Sequence, residues 1–126
     1  MSGTDILLDT NVVIGLLKGH APAIELAEAA QFAFDRATVS QITRMELLGF
    51  PSLTDDEEHE IRAFLSACRV CLLDEHIEVE AIRLRRKAAL KLPDAIIAAT
   101  ALIHGYQLLT LDKDLVNGLH KLGYSC

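Results

Sequence analysis

An α/β fold with ligands bound at strand ends is predicted by two observations. Short apolar runs alternate with helical stretches, and acidic residues fall just after those runs or in the helices that follow. The acids are Asp9, Glu46, Asp94 and Asp112. In open parallel sheets, ligands bind outside the carboxyl ends of the strands, near the point where strand order reverses. Three of the four acids read as strand-to-helix junction residues, and the fourth as lying in the first turns of a helix.

Each element has a local reason. Ile6 to Leu8 is a buried strand ending at Asp9, and Thr10 and Asn11 open an amphipathic, Asn-capped helix, Val12 to Leu17, closed by Gly19. Thr38 to Ser40 reads as a second strand, followed by a helix from about Gln41 to Leu48 that carries Glu46. Gly49-Phe50-Pro51-Ser52 separates two helices as a hinge or clip. Thr54-Asp55-Asp56-Glu57 is a capping box opening a helix to Ala67. Val70 to Leu73 is an apolar strand, and Glu75 to about Leu90 the next helix. Pro93 suits a first helical turn, where its missing N–H costs nothing. This makes Asp94 a first-turn residue of the helix Ala95 to His104, which has almost no polar side. After Gly105, Gln107 to Thr110 is a strand, and the last helix runs from about Leu115 to Leu122.

Grouping four acids needs a compensating charge. Two unit charges about 4 Å apart repel by roughly 4 kcal/mol at an effective dielectric near 20. A divalent cation reverses that sign, and all-oxygen ligands favour Mg²⁺ or Mn²⁺ over Zn²⁺. Metal held by carboxylates commonly serves phosphate chemistry. Each acid also has an ordinary structural reading. Asp9 can cap its helix, with Asn11 sharing the role. Thr43 to Glu46 fits a capping box, Asp94 suits the helix dipole, and Asp112 competes with Asp114 to cap the last helix. The apolar helix beside Asp94 weighs against the dipole alone, because a charge next to the core needs a partner.

The residues Leu7-Leu8-Asp9-Thr10-Asn11-Val12, Ser40 with Thr43 and Glu46, Leu92-Pro93-Asp94-Ala95 through Ala101, and Leu109-Thr110-Leu111-Asp112 with Lys113 and Asp114 span nearly the whole chain. In that order they resemble the PIN-domain nucleases, specifically the small toxins of the VapC type. The resemblance implies one PIN domain over residues 1–126, folded as a three-layer α/β/α sandwich around a parallel sheet. It implies Mg²⁺- or Mn²⁺-dependent endonucleolytic cleavage of RNA, a cognate VapB-type antitoxin and a homodimer. It assigns the metal-site acids to Asp9, Glu46, Asp94 and Asp112, with Thr10, Asn11, Ser40 and Thr110 in support. The apolar surface near Phe50 is where such proteins can receive an antitoxin segment or a second subunit. Many relatives carry Arg where Leu111 stands, so its help with phosphate must come from elsewhere.

Composition bounds these readings. A chain of 126 residues, 51% apolar, supports one sizeable core. Ala95 to Ile103 is too short to span a bilayer and the N-terminus lacks a basic signal segment, so a cytoplasmic protein with no membrane partner is expected. Net charge is −6, the wrong sign for gripping nucleic acid over a broad surface. RNA contact therefore needs a local basic patch, for which Arg83, Arg85, Arg86, Lys87 and Lys91 are the candidates. Acids first and bases last on that helix equally complement its dipole, and only Glu80 and Arg83 sit at helical pairing distance.

Weaker signals complete the survey. Cys68 and Cys71 lack the second half of a zinc site and read as reduced thiols, Cys126 is isolated, and neither a P-loop nor G-x-G-x-x-G is present. Two other functions fit less well. A receiver domain would use Asp74 as phosphoacceptor with Lys113, but it wants two adjacent acids after the first strand, where Thr10 follows Asp9. An inactive PIN-fold binding module would not need all four acids.

Overall fold

A computed structural model describes residues 5–124; Cys126 lies outside them. Four short parallel strands form one sheet: β1 (Ile6–Leu8), β2 (Ala37–Ser40), β3 (Arg69–Cys71) and β4 (Gln107–Leu109), in the order β3-β2-β1-β4. Seven helices surround it: α1 (Thr10–Leu17), α2 (Ala21–Ala29), α3 (Gln41–Leu48), α4 (Asp55–Ala67), α5 (Glu75–Ala88), α6 (Leu92–His104) and α7 (Lys113–Lys121). Strand order advances from β1 through β2 to β3 and then jumps back across β1 to β4. The reversal therefore lies between β1 and β4, in register from Ile6–Gln107 to Leu8–Leu109.

Strand alternation divides the interior into two cores. Leu7 and Leu108 face α5, α6 and α7, packing with Ile77, Leu84, Ile97 and Leu115. Ile6, Leu8, Val39 and Leu109 face the other way, against Val12, Val13, Leu47, Ile61 and Phe64 from α1, α3 and α4. Two cores on opposite faces of one parallel sheet make the expected three-layer α/β/α sandwich. Fully burying each such side chain contributes about 1.5–3 kcal/mol.

Several boundaries differ from expectation. β3 is Arg69–Cys71, not Val70 to Leu73: Leu72 and Leu73 lie beyond it and are exposed. α5 ends at Ala88 because Ala89 turns left-handed (φ 54°), and Leu90 then folds back into the core. α7 begins two residues early, at Lys113. The segment Ala21–Ala29, given no element by the sequence reading, is α2, which packs on α1 where a Cβ on Gly15 would sit 2.5 Å from that of Ala23. The Thr54–Glu57 capping box forms as expected, with both reciprocal hydrogen bonds. Among the described residues no helix is long and apolar enough to cross a membrane.

Candidate active site

The carboxyl ends of β1 and β4 meet at the topological reversal, and this end of the sheet gathers the acids. β1 continues into Asp9, whose N–H donates to the Leu109 carbonyl at 2.9 Å. Asp9 then caps α1: its Oδ1 accepts the Thr10 N–H at 2.7 Å, and its Oδ2 accepts the Thr110 hydroxyl at 2.6 Å. It is only 4% exposed. Burial pushes the Asp9 carboxyl above its ordinary range; the hydrogen bonds from Thr110 and Thr10 pull it down, and the charges of Glu46 and Asp112 push it up again.

Glu46 arrives from the second turn of α3. It does not close a capping box with Thr43, because α3 begins at Gln41 and its cap is Ser40, whose hydroxyl accepts the Ile42 N–H at 3.2 Å. Glu46 Oε1 instead accepts the Thr10 hydroxyl at 2.7 Å, and that hydroxyl also lies 3.0 Å from Oγ1 of the buried Thr43. Thr10 thus joins α1 to α3. Thr43 is the member of this arrangement to which the sequence reading gave no site role. Its spacing of three from Glu46, which sets both on one helix face, was the available signal.

Asp94 enters from the first turn of α6, behind Pro93, and follows a helix rather than a strand. Burial raises its carboxyl most, then the charges of Asp9, Asp112 and Glu46; Lys91 lowers it. Asp112 caps α7, its Oδ1 accepting the N–H groups of Asp114 and Leu115 at 2.9 and 3.2 Å. Its own N–H donates to Thr110 Oγ1 at 3.0 Å, so one hydroxyl links Asp9 to the Asp112 backbone. Asp114 is exposed and is not among the charges acting on Asp9 or Asp94. Asn11 caps nothing; its Oδ1 accepts the Leu111 N–H at 3.1 Å and pins the β4–α7 connection onto α1.

Four acids from separate segments therefore share one electrostatic field. Among the described residues the ion pairs are Arg62–Glu58, Arg69–Asp5 and Arg83–Glu80, none involving these acids. Nor do any three carboxylates, imidazoles or thiols there already converge at ion-holding spacing. The donor set is all oxygen, concentrated and without a paired cation, which fits a hard divalent ion such as Mg²⁺ or Mn²⁺.

The candidate basic residues divide. Arg83 is engaged by Glu80 and by the Tyr124 hydroxyl, and its guanidinium lies 5.8 Å from the Tyr124 ring centre. Arg85, Arg86 and Lys87 are exposed in the last turn of α5, and Lys91 is the one whose charge reaches Asp94. Asp74 is exposed and caps α5 through the Ile77 N–H at 2.9 Å, away from the acidic cluster. Burial raises both thiols of the Cys pair, Cys68 to about 11, which makes them poor nucleophiles at neutral pH.

A model of the PIN domain matches residues 6–118. The chain belongs to the PIN-domain family. Among solved structures this PIN domain is similar to a toxin–antitoxin complex from Klebsiella pneumoniae, with 34% identity, a TM-score of 0.75, and coverage of 87% of this chain and 89% of that one. It is similar to FitAcB from Neisseria gonorrhoeae at 25% identity and a TM-score of 0.73, covering 90% and 91%. DNA-bound VapBC from Salmonella typhimurium shares the fold at 24% identity and a TM-score of 0.63, covering 79% and 80%. No curated protein matches the chain. The resemblance to PIN domains read from the sequence is borne out by the family match, and the 34% identical structure is a toxin–antitoxin complex.

Proposed function

We propose that this PIN domain is a divalent-metal-dependent endoribonuclease, the toxin of a VapBC-type pair, acting as a single domain and as a dimer. The observation that carries the reading is that the charges of Glu46 and Asp112 act on Asp9, and those of Asp9, Asp112 and Glu46 on Asp94, beside the strand-order reversal, with no lysine or arginine among the described residues paired to any of the four. Left alone, such a cluster is destabilising, and a protein that keeps it has a use for its field.

Asp9, Glu46, Asp94 and Asp112 would hold Mg²⁺ or Mn²⁺. When bound, the ion neutralises phosphate charge and lowers the pKa of the attacking water. The chain's own contribution is placement. Thr110 fixes Asp9 and the Asp112 backbone together, Thr10 fixes Glu46, and Asn11 holds Leu111 and so sets the angle at which Asp112 approaches. Lys91, the cation whose charge acts on Asp94, would serve as a basic contributor to phosphate binding. Among the described residues no side chain is placed as a nucleophile, so water would be the attacking group, in line, leaving a 5′-phosphate and a 3′-hydroxyl.

For the antitoxin, the support is an apolar cleft of about 400 Å³ beside the Gly49–Ser52 clip, lined by Ile14, Leu17, Leu47, Phe50, Leu53 and Ile61. Two of the similar structures are toxin–antitoxin or VapBC complexes.

The test is a metal titration read by cleavage of a labelled RNA pool, with a single-stranded DNA arm and the Asp94→Asn variant as control. Cutting of RNA that requires Mg²⁺ or Mn²⁺ and is lost in the variant supports the reading. Cutting that survives chelation, or that Asp94→Asn leaves intact, overturns it.

A further inference from the structure

Beside the acidic pole lies a cleft to which the metal site gives no use. It measures about 390 Å³ and runs between α2 and the start of α7, lined by Glu25, Leu26, Leu111, Asp112, Lys113 and Val116. That is within the roughly 300–1,000 Å³ of small-ligand clefts. Its wall is apolar and fixed: Leu26 and Leu111 are partly buried against the core beneath α1, α3 and α4, and Asn11 holds the Leu111 backbone at 3.1 Å. Its two outer charges, Glu25 and Lys113, are exposed, and neither side chain makes an ion pair or hydrogen bond within the described residues. Thr110 also lines the cleft, and its hydroxyl is the one that donates to Asp9. The cleft and the pole therefore share Asp112 and Thr110, so a phosphate held at the pole has the cleft next to it.

What an RNA strand places beside a phosphate is a nucleoside, and single-stranded RNA is read by burying the faces of its bases and bonding their Watson–Crick edges. Leu26, Leu111 and Val116 supply apolar surface for a base face. Glu25 decides which edge fits. A carboxylate only accepts hydrogen bonds, and next to a polyanion it repels, so it belongs beside RNA only where it meets donors. Guanine alone presents two adjacent donors on that edge, N1–H and the N2 amine, which match the two carboxylate oxygens. Adenine and cytosine each offer one amine next to a ring-nitrogen acceptor, and uracil one N–H between two carbonyls. Each of those three sets an acceptor against Glu25.

We propose that the cleft between α2 and α7 seats a guanine base of the RNA next to the scissile phosphate, with Glu25 reading its Watson–Crick edge, Leu26, Leu111 and Val116 packing on its face, and Lys113 meeting the adjoining phosphate. This rests on the ribonuclease reading and gives that activity a base preference. Glu25 is then a specificity residue that takes no part in holding the metal.

Two measurements on the full chain test the proposal, with circular dichroism confirming that each variant folds. The first is binding without cleavage: the four nucleoside 5′-monophosphates are titrated in chelator while nuclear magnetic resonance follows the methyl groups of Leu26, Leu111 and Val116. Guanosine monophosphate should shift these signals and bind about tenfold or more tighter than the other three. Glu25→Gln, which sets an amine against one of guanine's donors, should remove most of that ratio. Lys113→Ala should weaken all four about threefold and leave the ratio intact. The second is a map of cut ends from a randomised RNA pool in Mg²⁺, in which guanine should be enriched at one position beside the cut in the parent and not in Glu25→Gln. Equal binding of the four, a preference that Glu25→Gln keeps, or a cut map blind to base overturns the seat while the nuclease reading stands. A chain that cuts no RNA in Mg²⁺ or Mn²⁺ overturns that reading, and the seat beside a scissile phosphate falls with it.

Discussion

Asp5 and Asp9 stand at opposite ends of the same strand and meet opposite treatment. Asp5 is half-buried and bonded to Arg69 across the sheet at 2.5 Å. Asp9 is buried, has no cation bound to it among the described residues, and is acted on by the charges of Glu46 and Asp112 instead. The chain can supply an arginine to an aspartate beside this sheet, and does so at one end only. At the other it spends two threonine hydroxyls and a helix cap on holding the acids in place. The contrast separates a carboxylate that serves the fold from one that the fold serves.

The largest effect expected from breaking the contrast is on cleavage. Asp9→Asn should reduce RNA cutting by about a hundredfold or more, whereas Asp5→Asn should leave it within about twofold, both measured on a labelled RNA pool at saturating Mg²⁺. Asp9→Asn keeps an oxygen to accept from Thr110 or Thr10 while removing a repelling charge, so it should melt no lower than the parent.

Metal should act at one end alone. Mg²⁺ or Mn²⁺ at about a hundred times its dissociation constant should stabilise the chain by about 2.7 kcal/mol. Differential scanning fluorimetry should show that increment nearly absent in Asp94→Asn and unchanged in Asp5→Asn. An equal increment in both variants would place the ion elsewhere.

The acidic pole also has a pH signature in chelator. Asp9 and Asp94 both keep their protons to higher pH than a solvated aspartate. Between the ordinary value of 3.8 and the raised values, the folded chain binds more protons than the unfolded one. Stability contributed by these groups is therefore greatest at the low end of that window and is lost as pH rises through it. Glu57, lowered by its capping-box hydrogen bonds, contributes in the opposite sense, its share being lost as pH falls. Thermal melts of parent and Asp9→Asn should therefore diverge with rising pH, the variant gaining. Parallel curves would mean that the pole carries no net strain.

The smallest effect belongs to the paired end. Arg69→Ala should cost about 0.2–1 kcal/mol in urea unfolding, as expected of a solvent-exposed pair, with no change in cutting.

Much of this was legible in the chain. Apolar triplets ending at Asp9 and before Asp112, and Pro93 ahead of Asp94, gave the junctions and three of the acids, because strand ends and first turns have local signatures. Glu46 was legible by position but not by partner, since the Thr10 hydroxyl it binds lies 36 residues away. Asn11 was misassigned as a cap for the same reason: its true partner, the Leu111 N–H, is 100 residues distant. α2 escaped notice because it buries only Ala23 and Ala27, which leaves no amphipathic stripe to read. Leu72 and Leu73 were given to a strand on the assumption that apolar means buried; their exposure shows that it can instead mean an outer surface.

The clasp in which Thr110 reaches Asp9, and Asn11 reaches Leu111, spans about a hundred residues of chain. During synthesis, Asp9 leaves the ribosome long before Thr110 and Asp112 do. No growing fragment that stops short of these residues can assemble the pole. On the proposed function, cutting of RNA would thereby be withheld until β4 has emerged and slotted in beside β1.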